Sequence, residues 1–203
     1  MDIETMKETV ANQGYCHVKK GNQALVDNVV IGLGETLYLT DIVEKDNGRL
    51  LNSSLEMFMH TDQPTAHYIL WHCLQSAEIG GETMILPIES VFNSLSEKHQ
   101  DCLKEIQLKL NFEGGDETYP FFKDGNFFYS PSLLLQGYTT NQQLAILAFK
   151  TALQLAKTTD IKLETDDFFI LDNTKYLHGR KAFENQSKRH LKRYLIRDLS
   201  RTK

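Results

Sequence analysis

The sequence has few of the features that mark disulfide-bonded, exported or membrane-spanning proteins. Its 203 residues include three cysteines, Cys16, Cys73 and Cys102, which form no CxxC pair and leave an odd number. A disulfide framework is therefore not expected, and the composition suits a reducing compartment. The N-terminal stretch is polar and acidic, and no apolar run approaches about 18 residues. We expect a cytoplasmic protein without a secretion signal or a membrane-spanning helix.

Positive charge is also scarce. The 22 Lys and Arg residues are outnumbered by 27 Asp and Glu, which gives a formal net charge of −5. Nucleic acids and anionic membranes require a basic face, and most basic residues here alternate with acidic ones. We therefore expect neither partner. The exception is the basic run 188–193, which is either a solvated strand end or an anion-binding element inside a site.

The length and the residue pattern predict one mainly β domain over residues 1–203. Hydrophobic residues make up 41% of the chain, enough for one core, and there are no repeats or linkers. Short strands bounded by turns, with helices gathered between them, favour a jelly roll of about eight core strands. This fold is a double-stranded β-helix, cupin-like, with flanking helices.

The predicted elements follow from periodicity and from turn residues. A Gly-Gly turn is expected to join strand 68–74 to a strand ending at Leu86, as an antiparallel ribbon. The remaining predictions are helices over 2–13, 22–33, 88–96, 97–106 and 140–158, strands over 15–18, 36–42, 55–62, 108–112, 163–171 and 189–199, a turn at Asn47-Gly48, a loop over 113–117, and an irregular aromatic segment over 121–129.

A metal site is indicated by His60 and Asp62, two residues apart, and by the distant His178. Two imidazoles and one carboxylate on a common face bind Fe(II) and leave positions open for a co-substrate and oxygen. Behind His178 come Arg189 and Arg193, four residues apart. In an extended strand such residues share a face, so both guanidiniums would reach one cavity and bind carboxylates there.

The substrate side of this site is predicted from the strand before Asp62. Period-two alternation places Glu56 and Phe58 on the face of His60, as candidate cavity walls. Glu56 opposite Arg193 would complement the ammonium and the carboxylate of a free amino acid or a derived metabolite. The alternative is that Glu56 and Arg193 pair with each other and close the barrel.

Four motifs, in order, resemble the taurine dioxygenase and clavaminate synthase family of Fe(II)/2-oxoglutarate-dependent oxygenases. They are HTD at 60–62, GGET at 80–83, LDNxxxLHGRxAF at 171–183 and RHLKR at 189–193. The resemblance implies that His60, Asp62 and His178 are the catalytic iron ligands. It also implies that Thr83 and Arg189 bind the distal carboxylate of 2-oxoglutarate, and that Arg193 binds an acidic group of the substrate.

Two features of the sequence affect which roles and segments carry over from this family. The spacing between the iron histidine and the arginine differs among family members, so Arg189 and Arg193 could exchange roles. The chain is also shorter than typical members, which reduces the insertions that form a lid.

Asn173 is interpreted as holding the turn before His178 through a side-chain hydrogen bond. Gly179 and Arg180 are interpreted as shaping the same loop.

The implied function is the hydroxylation of a small soluble metabolite, with oxygen consumed and 2-oxoglutarate converted to succinate and CO2. Desaturation or cyclisation would need only a different placement of the substrate. Asp62 argues against halogenation, because related halogenases replace this carboxylate with a small residue. Two alternatives stay open: a JmjC-like protein hydroxylase, and a cupin-like module that binds a metal or a small acid without turnover. The sequence does not indicate the oligomeric state.

Overall fold

The computed structural model describes residues 2–45, 50–112 and 115–201, so the predicted turn at Asn47-Gly48 and the start of the loop at 113–117 lie outside it. The helices are α1 (Ile3–Gln13), α2 (Gln23–Leu33), α3 (Ile88–Asn93), α4 (Glu97–Lys104) and α5 (Thr140–Leu155). The strands are β1 (Tyr15–Val18), β2 (Glu35–Val43), β3 (Met57–His60), β4 (Tyr68–Gln75), β5 (Thr83–Pro87), β6 (Gln107–Phe112), β7 (Gly115–Pro120), β8 (Phe122–Lys123), β9 (Asn126–Phe127), β10 (Thr159–Ile161), β11 (Phe168–Asp172), β12 (Tyr176–Arg180) and β13 (His190–Arg197).

Two antiparallel sheets form the centre of the molecule. One has five strands in the order β1-β11-β4-β13-β2, and the other has four in the order β10-β5-β12-β3. The hairpins β6-β7 and β8-β9 lie beside them. This arrangement confirms the predicted mainly β jelly roll with flanking helices.

The prediction that β4 and β5 pair with each other as an antiparallel ribbon is wrong. β4 pairs with β11 and β13, whereas β5 pairs with β10 and β12, so the two strands belong to different sheets. Residues 76–82 between them carry the chain from one sheet to the other instead of forming a tight turn. Glycines at a turn signal a change of direction but do not determine which strand becomes the partner.

Three apolar clusters hold the layers together. The first lies between α1, α2 and the five-stranded sheet, the second between the two sheets, and the third between the four-stranded sheet, α3, α5 and the hairpins. β4 is covered on both faces, with Leu70 on the helix side and Ile69 and Trp71 on the inner side. Double coverage explains why its sequence is a nearly continuous apolar run.

The helices begin at residues that cap them. Asp2 and Asn22 accept hydrogen bonds from the backbone N–H groups of Thr5 and Leu25, and Thr139 and Gln142 form a reciprocal capping box at the start of α5. None of the helices among the described residues combines the length and the apolar character that a membrane crossing requires.

His72 on β4 is a buried polar residue without a role in the site. It is 2% exposed, and neither ring nitrogen has a hydrogen-bond partner among the described residues. Burial lowers the pKa of His72 from its ordinary value of 6.5, an effect that the carboxylate of Asp166 opposes only in part. The folded protein therefore favours the neutral ring.

We expect this histidine to make folding sensitive to acid. Below pH 6.5 the unfolded chain binds a proton that the folded protein resists, so stability present at neutral pH is lost as the pH falls. One such group contributes at most about 1.4 kcal/mol per pH unit. Urea unfolding between pH 5 and pH 7.5 should show a shallower loss of stability in His72→Phe than in the wild type. Parallel curves would show that His72 does not contribute.

Candidate active site

Strand pairing brings the three predicted metal ligands together. β3 and β12 are neighbours, and His60 stands directly opposite His178 in the register, with ring centroids 4.4 Å apart. Asp62 follows β3 by two residues, and its carboxylate oxygens lie 3.9 Å from His60 Nε2 and 3.7 Å from His178 Nε2. One ligand atom from each residue falls within 4.8 Å of the others. This donor set fits a divalent iron ion held on one face.

Each imidazole is arranged so that one ring nitrogen can bind a metal. His60 Nδ1 lies 2.8 Å from the carbonyl oxygen of Phe58, and this hydrogen bond leaves Nε2 free to face the site. His178 is buried, and burial together with His60 lowers its pKa to about 3, although Asp62 acts in the opposite direction. At neutral pH the His178 ring therefore carries an unprotonated nitrogen.

Asp62 is held as a carboxylate by the groups around it. Arg193 Nη1 donates to both oxygens of Asp62, at 3.2 and 3.1 Å. Burial raises the pKa of Asp62, but Arg193, His178 and His60 together outweigh burial and keep this pKa below its ordinary value. The third ligand is thus ionised, as metal binding requires.

A cavity on the inner side of the sheets is lined by one of the three ligands, His178. Its lining carries three guanidiniums and no carboxylate, and its remaining walls are mainly apolar. The lining residues are Ile42, Leu51, Met57, Trp71, Thr83, His178, Gly179, Arg180, Arg189 and Arg193. The sequence-predicted residues Thr83, Arg189 and Arg193 therefore meet beside His178.

Arg189 is the guanidinium in this cavity whose side chain has no polar partner in the described part of the chain. It is 7% exposed and lies over the ring of Phe183, at 5.4 Å from the centroid, and its side chain makes no hydrogen bond or ion pair with another described residue. Burial lowers its pKa to about 10, which leaves it charged at neutral pH. A buried, unpaired cation is costly, so the site is built for an anion.

Arg180 shapes the cavity wall. Its Nη atoms donate to the carbonyl oxygens of Leu51, Ser53 and Leu55, at 3.1, 2.6 and 2.6 Å. These bonds hold the segment before β3 against β12 and keep Leu51 in the cavity lining. The sequence predicted that Arg180 shapes the turn before His178, whereas Arg180 lies at the end of β12 and bonds to the segment before β3.

Glu56 and Phe58 are placed differently from the period-two expectation. Both are exposed, Phe58 by 69%, and neither lines the cavity, whereas Met57 does. His60 pairs with His178 but Met57 pairs with Arg180, so three steps on β3 match two on β12. This irregularity is a β-bulge, which brings Met57 rather than Phe58 to the side of the metal ligands.

Trp71 is a site residue that none of the sequence motifs includes. It is buried, lines the cavity, and stands edge-on to His178 at a centroid distance of 5.1 Å. Its register partner on β13 is Arg193. The signal that could have revealed it is this cross-strand pairing, which a single sequence does not display.

The sequence model described as "Taurine catabolism dioxygenase TauD, TfdA family" matches residues 31–144 and 121–195, which is most of the chain. The chain belongs to the TauD/TfdA family. Membership confirms the resemblance carried by the four motifs, all of which lie within the matched residues.

One relative in this family is the taurine hydroxylase-like protein SAT17 of Stachybotrys chartarum. It is 28% identical over 189 residues, which cover 79% of this chain and 49% of that protein. The chain therefore spans about half the length of this relative.

Solved structures of iron oxygenases share the fold. The non-heme iron oxygenase OrfP, in complex with Fe and alpha-ketoglutaric acid, superposes with a TM-score of 0.78 at 17% identity, covering 97% of this chain and 79% of that one. An asparagine oxygenase, in complex with Fe(II), hydroxyasparagine and succinate, gives 0.78 at 14% identity, with 97% and 78% covered. PvcB, from an isonitrile synthetic pathway, gives 0.73 at 14% identity, with 98% and 83% covered.

Proposed function

We propose that this protein is an Fe(II)- and 2-oxoglutarate-dependent oxygenase. The observation that carries the proposal is the contact of two sites: a cluster of two imidazoles and one carboxylate, and a cavity in which the Arg189 guanidinium is buried and has no polar partner among the described residues. The first suits ferrous iron and the second suits a carboxylate. An enzyme that uses a 2-oxo dicarboxylic acid needs both within reach of one small molecule.

His60, Asp62 and His178 would hold the iron. When bound, the metal supplies a binding place for dioxygen and for the 2-oxo acid. In the overall reaction one oxygen atom enters succinate, as 2-oxoglutarate loses CO2, and the other enters the hydroxylated substrate. The protein contributes ligands that need no deprotonation, since His178 is neutral and Asp62 is ionised at pH 7.

Arg189 would bind the distal carboxylate of 2-oxoglutarate, with the Thr83 hydroxyl as a second donor. The planar guanidinium fork matches two carboxylate oxygens, and the water-excluding walls strengthen the pairing. Arg193 already donates Nη1 to Asp62. Its pairing with a metal ligand favours Arg189 over Arg193 as the anchor of the co-substrate. Arg193 would then bind an acidic group of the substrate near the metal.

The substrate is proposed to be a small metabolite, with an amino acid as the leading class. The support comes from solved relatives of the same fold, which were captured with (3S)-hydroxy-L-Arg and with hydroxyasparagine. The pairing of Glu56 with a substrate ammonium has no support from the cavity lining, because Glu56 is exposed and lies outside it. Arg193 pairs with Asp62 rather than with Glu56, so the barrel-closing alternative is unsupported as well.

Anaerobic titration tests the proposal directly. Fe(II) and 2-oxoglutarate together should produce the weak visible absorption of the chelate, and admission of oxygen with an amino-acid panel should yield succinate. A binding module without turnover would give no succinate. If His60→Ala binds Fe(II) and 2-oxoglutarate as the wild type does, the proposed metal site is wrong.

Gly81 provides a test of the co-substrate cavity by shape. Its φ is +74°, and an added Cβ would lie 3.2 Å from Arg189 Nε and 3.4 Å from Arg189 Cδ. We expect Gly81→Ala to displace the guanidinium and to raise the Kd of 2-oxoglutarate several-fold, in addition to a backbone strain of roughly 1–2 kcal/mol.

Gly125 is the matched control for this substitution. Its φ is +79°, but nothing lies within 4 Å of an added Cβ. Gly125→Ala should therefore carry the same strain and leave the Kd of 2-oxoglutarate unchanged. Equal affinities in the two variants, measured by calorimetry with the metal bound, would contradict the assigned cavity.

A further inference from the structure

We propose that Asn173 is a positioning residue that fixes the carboxylate ligand of the metal centre, an inference that rests on the proposed function. Asn173 lies in the turn between β11 and β12 and is 2% exposed. Its Oδ1 accepts a hydrogen bond from the backbone N–H of Asp62 at 2.8 Å. Its Nδ2 donates to the carbonyl oxygens of Ala66, Gln63 and Asp62, at 2.8, 3.3 and 3.4 Å. Both ends of one amide thus hold a single segment.

The segment that Asn173 holds has no regular structure of its own. Residues 61–67 form neither helix nor strand, so their backbone groups must find partners outside a hydrogen-bond ladder. Thr61 is bonded to Tyr129 in both directions, with its N–H donating to the carbonyl oxygen and its Oγ1 accepting from the Tyr129 N–H. For Asp62, the backbone partner is the Asn173 side chain.

This difference separates Asp62 from the other two ligands. His60 and His178 are placed by the pairing of β3 with β12, which needs no particular side chain. Asp62 lies beyond the last residue of β3 and depends on the Asn173 amide for its position. A metal site tolerates ligand displacements of only about 0.5 Å, so the amide would determine how well the third ligand is preorganised.

The turn that carries Asn173 is itself fixed. Asp172 Oδ1 accepts hydrogen bonds from the backbone N–H and the hydroxyl of Thr174, at 3.0 and 2.6 Å. Asp172 Oδ2 accepts from Arg201 at 3.2 Å, and the N–H of Asn173 donates to the carbonyl oxygen of His67. The same turn leads directly into β12 and His178. One rigid turn therefore sets the distance between two ligands that are remote in sequence.

The expected effect is on metal affinity rather than on the rate of the loaded enzyme. Without the amide, metal binding itself must order the segment of Asp62, and this cost weakens binding. Loss of an outer partner of a metal ligand typically lowers affinity by about 10–100-fold. Once iron is saturating, the same three ligands are in place, so most of the succinate-forming rate should return.

Titration of the metal-free protein with Co(II), followed by the visible absorption of the bound ion, measures this affinity without turnover. Asn173→Ala should raise the Kd of Co(II) by about 10–100-fold, and excess Fe(II) should restore most of the succinate-forming rate. Asn22→Ala is the matched control, because Asn22 accepts a hydrogen bond from Leu25 N–H at the start of α2. It should lower stability and leave the Kd unchanged.

Each result decides between a positioning role and a purely structural one. If Asn173→Ala only unfolds more easily and binds Co(II) as tightly as the wild type, the inference is overturned. Should the alanine variant fail to fold, Asn173→Ser, which keeps a small polar side chain, is judged by the same Kd. If His178→Ala binds Co(II) with the same Kd as the wild type, the proposed function fails and this inference fails with it.

Discussion

Replacing His178 with alanine is expected to abolish succinate formation. His178 supplies one of three metal ligands, and its pKa of about 3 keeps the ring neutral for binding. The loss should exceed roughly 100-fold, because removal of a mere outer partner of a ligand already costs about 10–100-fold. The fold should survive, since the sheets bury most of the apolar area. Succinate measured by mass spectrometry and Co(II) affinity should fall together.

His190→Ala is the control for this result. His190 is also on a strand and also faces a carboxylate, with Nε2 2.7 Å from Asp41 Oδ1, but this pair is near the surface. Such pairs contribute little, so activity and metal affinity should stay near the wild-type values. Retention of full activity in His178→Ala would remove this residue from the metal centre.

Asp62 is a less clean target than His178. Its carboxylate also accepts hydrogen bonds from Arg193, so Asp62→Ala would leave a mostly buried guanidinium without its partner. Breaking a buried pair on one side costs about 3–5 kcal/mol. A loss of activity in Asp62→Ala would therefore combine ligand removal with destabilisation.

Replacing Arg189 with lysine is expected to raise the KM for 2-oxoglutarate strongly. Lysine keeps the positive charge but loses the planar fork that can make two parallel hydrogen bonds with a carboxylate. One charge-assisted hydrogen bond is worth about 1.5–3 kcal/mol, so the KM should rise by about 10–100-fold. The turnover number at saturating 2-oxoglutarate should fall much less, because the lost contact lies away from the reacting carbon.

Arg197→Lys, at the last residue of β13, is the matched control. Arg197 pairs with Glu35 at the surface, at 3.5 Å, and does not line the cavity. The KM of the Arg197→Lys variant for 2-oxoglutarate should equal the wild-type value. If Arg189→Lys instead changed only the KM of the primary substrate, the roles of Arg189 and Arg193 would have to be exchanged.

The sequence predicted the features that depend on residue type and chain order. The HTD triplet, His178 and the two arginines are chemically distinctive, and the structure gathers them in one place. The starts of α1, α2 and α5 were also predictable, because Asp2, Asn22 and Thr139 are capping residues whose hydrogen bonds form within one turn, whereas α3 and α5 end three residues earlier than predicted. These signals are local or carry specific chemistry.

The features that were missed depend on pairing between distant strands. The bulge opposite His178 and Arg180 shifts the face of β3, so Glu56 and Phe58 were assigned by an alternation that the strand does not keep. The bonds from Asn173 to Asp62 cross more than one hundred positions of sequence. Such contacts arise only when the fold closes, and neither spacing nor propensity encodes them.

The place of β3 in its sheet affects more than ligand geometry. β3 is an edge strand, hydrogen-bonded among the described residues to β12 alone, whereas β12 lies inside the sheet between β3 and β5. Edge strands are the first part of a sheet to open locally. A metal ion held by His60 on the edge strand and by His178 on the interior strand would link the two strands. Part of the metal-binding free energy would then stabilise the pairing of β3 with β12. Amide hydrogen exchange over Met57–His60 should therefore be slower with the metal bound than without it.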